Sequence, residues 1–175
     1  MLARTAMATL RNPGVIAALG AAALFGAGTP VAKVLLGQVD PWLLGGLLYA
    51  ASGIALTIVR IVTGSPAVRL DRRDLLVLLG VVATGGIAGP VLLMYGLAAM
   101  PSSGGSLLLN AEGVFTALLA WIVFRENVDT RIAIGMAAIV AGAVVLTWTP
   151  GASFGQLGPT ALILAACLAW AIDNN

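Results

Sequence analysis

Histidine is absent from this chain of 175 residues, cysteine occurs once, and only 9% of the residues are charged. Without histidine there is no imidazole for a Ser-His-Asp triad, and a lone Cys167 builds neither a Cys/His zinc site nor an internal disulfide. No GxxxxGK[ST] loop occurs, which removes ATP hydrolysis by a P-loop. Neither a cofactor nor a metal is expected. The scarcity of acids, with no histidine, argues against a membrane-embedded enzyme. Soluble domains carry about a quarter of their residues as charges. This chain, 60% hydrophobic with a mean hydropathy of +1.04, belongs in a membrane. Its net charge of +2 sits between apolar stretches and forms no patch, so nucleic acid is not an expected partner.

What the chain has instead is a row of apolar runs long enough to cross a bilayer. Five are complete: Val15–Leu36, Trp42–Val62, Leu75–Leu97, Gly104–Phe124 and Ile132–Trp148. A sixth opens at Pro159 and ends at Asp173-Asn174-Asn175. The predicted class is all-α, a polytopic membrane protein. After five crossings the sixth segment enters from the opposite side. If it begins a copy of the first five, that copy is inverted, an arrangement found in transporters. The N-terminal bases followed by Val15–Ala27 imitate a secretory signal, but the apolar run is too long for one and reads as an uncleaved first helix.

Charge placement sets an orientation. Arg4 and Arg11 precede the first run, Arg60, Arg69, Arg72 and Arg73 follow the second, and Arg125 and Arg131 follow the fourth. The alternate connections, Gly37–Pro41, Ala98–Ser103 and Thr149–Gly158, contain no Lys or Arg. The positive-inside rule then puts the N-terminus in the cytoplasm of a multi-pass inner (plasma) membrane protein. Trp42 and Trp148 fall at the expected outer interface and Trp121 near the inner one, as anchors. Gly85 and Gly89, like Ala138 and Gly142, are spaced four apart and predict close helix approach.

A few residues could carry chemistry. Glu112 lies near the middle of the fourth run, where an ionised side chain costs about 2.5–3.5 kcal/mol on insertion scales. A carboxyl that exchanges a proton at that depth can couple transport to proton flow; the plain alternative is a packing acid. Asn110 points about 200° away and is expected to bond a neighbouring helix. Lys33 either snorkels to the headgroups or faces a central cavity with Gly26 and Pro30. Tyr95 offers a hydroxyl to a cavity or packs. Pro30 and Pro90 lie inside runs, and each releases a backbone carbonyl that is tolerable only beside protein or water.

The stretch Pro101-Ser102-Ser103, then Leu107-Leu108-Leu109-Asn110-Ala111-Glu112-Gly113-Val114-Phe115-Thr116-Ala117-Leu118-Leu119-Ala120, closing on Phe124-Arg125-Glu126, resembles the EamA family of the drug/metabolite transporter superfamily. Gly113 stands where that core usually has proline. Phe25-Gly26 and Lys33 also look like the family's opening helix. The resemblance implies two inverted five-helix repeats around a central cavity. On that reading residues 1–13 are a cytoplasmic tail and 14–148 the first repeat. Residues 149–158 are then an external loop, and 159–175 the start of a second, truncated repeat. It also implies secondary transport of a small organic metabolite or drug-like solute, possible proton coupling, and a small molecule and the bilayer as partners. The cavity would include Glu112, Tyr95 and the segments at Pro30 and Pro90, with Asn110 and Lys33 as further candidates. The alternatives are a non-transporting membrane subunit, an inactive fragment, or a half-size chain working as a dimer.

Overall fold

The computed structural model describes residues 12–64, 66, 68, 70–125, 129–147 and 157–175. Arg4, Arg11, Arg69, Glu126, Trp148 and most of the 149–158 connection lie outside the described residues. Among the described residues the protein is all helix. The elements are α1 (Pro13–Leu35), α2 (Pro41–Thr63), α3 (Arg72–Val81), a π-helical segment (Val82–Ala88) and α4 (Gly89–Ala98). They continue as α5 (Ser102–Leu108), α6 (Ala111–Ile122), α7 (Thr130–Thr147) and α8 (Leu157–Asp173). Four helical stretches, Pro13–Leu35, Pro41–Thr63, Arg72–Ala98 and Ser102–Ile122, are long and apolar enough to cross a membrane. Two further apolar helices, Thr130–Gly142 and Leu157–Asp173, are shorter.

Local chemistry sets the ends. Asn12 and Asp40 cap α1 and α2 by accepting from the backbone N–H groups of Gly14 and Trp42, each ahead of a proline in the first helical turn. Asp71 and Asp74 form a reciprocal capping box at the start of α3. Gly64, at φ 63°, ends α2 in the left-handed conformation that a side chain resists. Outward-facing Leu24, Ile61, Val62 and Leu76 remain exposed, an apolar surface suited to hydrocarbon rather than water.

The sixth apolar run, α8, is the centre of the packing. It lies against α4, the π segment and α6, with lesser contact to α5 and α3. Ile163, Ala166, Cys167, Ala169 and Ala171 are buried there, joined by Leu93, Met94 and Leu97 of α4 and by Leu109. The close approach is made by glycine. A Cβ on Gly89 would meet the Trp170 ring, and one on Gly96 would meet Ile163 and the Pro159 carbonyl. Because Gly89 faces Trp170 and Gly96 faces Ile163, α4 and α8 run antiparallel. In lipid such helix pairs are held by van der Waals contact and hydrogen bonds, so small facing residues matter more than apolar area.

Two runs read as single helices are interrupted. The third contains the π segment. The fourth breaks at Leu109-Asn110, where the Asn110 amide donates to Ser106 O (3.2 Å) and Leu107 O (3.1 Å) of its own run. Asn110 therefore does not reach a neighbouring helix with its amide; it donates to carbonyls at the break it sits in. Leu108 O takes the Cys167 thiol at 3.5 Å.

Candidate substrate cavity and its polar node

The centre of the site is one backbone carbonyl, and Pro90 explains it. In the π segment the amide of Gly89 donates to Thr84 O, five residues back, not to Gly85 O. The next donor in that register belongs to residue 90, and proline has none. Gly85 O is thus left without an intrahelical donor, inside a bundle where an unsatisfied carbonyl is costly. Two other helices supply the missing protons: the Tyr49 hydroxyl of α2 donates at 3.1 Å and the Trp170 indole N–H of α8 at 3.0 Å. Gly85 is buried, and the Asp173 carboxylate packs where its side chain would be.

Tyr49 and Trp170 form one end of a cavity of about 300 Å³ between α1, α2, α4 and α8. Phe25, Gly28, Thr29 and Ala32 line it from α1, and Pro90, Leu93, Met94 and Leu97 from α4. No wall residue carries a formal charge, and the surface is almost wholly apolar.

Beyond Trp170 lies a polar cluster. Glu112 Oε1 accepts from Asn174 Nδ2 at 3.0 Å, which joins α6 to the end of α8. Asn175 Nδ2 donates to Ala171 O and Thr116 O. Asp173 Oδ1 is buried with no hydrogen-bond partner among the described residues. Two carboxylates, Glu112 and Asp173, therefore share one end of the bundle.

The six residues singled out from the sequence are dispersed. Pro90 lines the cavity and also creates the orphaned carbonyl. Glu112 sits in the polar cluster, outside the cavity wall. Lys33 neither reaches headgroups freely nor faces the cavity. Its ammonium donates to Leu97 O (2.6 Å) and Ala98 O (2.9 Å), the last carbonyls of α4, where a cation also suits the helix dipole. Tyr95 is exposed on the far side of α4, Pro30 is exposed within a continuous α1, and Asn110 lies at the break. The residues that build the wall's polar features are Thr29, Tyr49 and Trp170, none of them expected. A signal existed for Trp170, the one tryptophan not assigned to an interface: a buried indole usually finds an acceptor.

A bundle of apolar, membrane-spanning helices with a half-open apolar cavity and two half-buried carboxyls beside it defines a multi-pass membrane protein. Residues 12–148 match the EamA-like transporter family, and the chain belongs to that family. It is 29% identical over 178 residues to an uncharacterized transporter of Methanothermobacter thermautotrophicus, covering 92% of this chain and 52% of that protein. It is 26% identical over 173 residues to the uncharacterized transporter YetK of Bacillus subtilis, covering 93% and 51%. The chain thus spans about half the length of the curated relatives it matches. No solved structure gives a significant match.

Proposed function

We propose that this chain is part of an EamA-type permease that moves a small organic metabolite or drug-like solute across the inner membrane by secondary transport, with its N-terminus cytoplasmic. The observation that carries this reading is the cavity between α1, α2, α4 and α8, formed mainly by helices of spanning character in a family of transporters. Gly28 lines that cavity with open space around its Cα. Gly28→Leu should therefore fill the cavity without disturbing the fold. The expected result is loss of at least nine-tenths of solute flux in vesicles carrying the complete gene product at unchanged expression. Full flux from that variant would overturn the reading and favour the alternative of a non-transporting membrane subunit.

Glu112 is the candidate for coupling. A carboxyl on α6 that hydrogen-bonds the end of α8 gains or loses a contact when it exchanges a proton, so proton traffic and helix position can be linked. Glu112→Gln retains an acceptor for Asn174 but cannot ionise. Proton-driven accumulation should disappear, while counterflow of solute down its own gradient persists. Accumulation equal to wild type in reconstituted vesicles would exclude Glu112 from coupling.

A further inference from the structure

Thr29 differs from four other helical threonines. Thr57, Thr63, Thr84 and Thr116 each donate their hydroxyl to the carbonyl four residues back, at 2.7–2.9 Å. Such bonds satisfy the polar group within its own helix. Thr29 makes no such bond. It is 7% exposed, lines the cavity, and its hydroxyl has no hydrogen-bond partner among the described residues. The two other donors on the wall are engaged: the Tyr49 O–H and the Trp170 N–H are both given to Gly85 O. Thr29 is thus the one wall side chain with a proton still to give. Its oxygen accepts as well.

We propose that the cavity takes an uncharged, largely apolar solute of about monocyclic aromatic size bearing one hydrogen-bonding group, and that the Thr29 hydroxyl recognises that group. Size follows from the volume: the half-open cavity holds about 300 Å³, at the small end of ligand pockets. Neutrality follows from the wall, which offers a charged ligand no ionic partner where it covers it. The ring preference follows from Tyr49 and Trp170, which supply large rigid surface at one end. A lipid acyl chain would fit the apolar wall but leave the Thr29 hydroxyl unanswered, and a site built to hydrogen-bond discriminates against ligands that cannot. The assignment rests on the cavity being the solute site, not on flux through it.

The test uses the complete protein in nanodiscs with fluorine NMR, empty nanodiscs serving as the partition reference. The probes are 4-fluorophenol, fluorobenzene and 4-fluorobenzoate. Wild type should bind 4-fluorophenol about tenfold more tightly than fluorobenzene, equivalent to ~1.4 kcal/mol. Thr29→Val should abolish that preference while leaving fluorobenzene unchanged, Thr29→Ser should restore it, and 4-fluorobenzoate should not bind. Equal binding of the phenol and fluorobenzene by wild type would overturn the proposal and indicate a cavity of acyl-chain character. Parallel loss of both probes in Thr29→Val, with no recovery in Thr29→Ser, would overturn it as a packing effect, and binding of none of the probes would overturn it as well. Thr29-dependent binding together with undiminished flux in Gly28→Leu would sink the transport reading alone. Thr29-independent binding with blocked flux would sink this one alone.

Discussion

Replacing Tyr49 and Trp170 together with phenylalanine is expected to cost more stability than the two single replacements added. Either donor alone still satisfies Gly85 O, so each single change removes one of two bonds to the same acceptor. Net loss for a bond of that kind is about 0.5–1.5 kcal/mol. The double change strands a buried carbonyl that Pro90 has already deprived of its helical donor. That adds the desolvation penalty of an unpartnered group, about 1–3 kcal/mol. A double-mutant cycle in detergent unfolding isolates this excess, because the ring area lost with the indole cancels between backgrounds. Additivity within about 0.5 kcal/mol would show that the carbonyl finds another partner, and would remove Pro90 from the explanation.

Gly96→Ala should destabilise the protein by about 1–3 kcal/mol, the range for forcing extra volume into a packed interface. The new Cβ would stand against the side chain of Ile163 and 3.1 Å from the Pro159 carbonyl oxygen. Ile163 is fully buried, and backbone cannot swing aside. The same chain holds its own control. Gly142, on α7, has nothing within 4 Å of an added Cβ. There the change to alanine removes only the cost of helical glycine, a gain of about 0.5–1 kcal/mol. Melting midpoints in detergent should move in opposite directions for the two variants. A rise for Gly96→Ala would mean that α4 and α8 are not held in close contact, and a fall for Gly142→Ala that its face of α7 is covered.

Membrane class and helical content were legible because hydropathy reports burial in lipid over some twenty residues at a time. The π segment was not. One surplus residue leaves the hydropathy of Leu75–Leu97 unchanged, and the hints were only Gly85-Gly86 and Gly89-Pro90. The released carbonyl at Pro90 was foreseeable from proline chemistry, but its donors come from positions 36 residues earlier and 85 residues later. Only tertiary structure brings them together. The glycines at 85 and 89 were readable as sites of close approach, and they face Asp173 and Trp170. Gly142 carried the same spacing with Ala138 and faces open space, so spacing alone does not name the partner. Asn110 and Lys33 show a second limit. A polar residue in an apolar run looks like a ligand group, whereas both of these donate to backbone carbonyls where a helix stops. Thr29 was hidden for the converse reason: threonine normally silences its own hydroxyl, and nothing in the sequence tells which one does not.

The seat of Cys167 has a practical consequence. The thiol is fully buried on α8, with its sulfur 3.5 Å from Leu108 O and 3.9 Å from Leu109 O in the break between α5 and α6. No other cysteine exists in the chain. A maleimide reagent therefore meets no reactive sulfur while α8 is seated, and gains one when it leaves. Within this chain the central helix carries an internal tell-tale, silent at rest, that needs no engineered label.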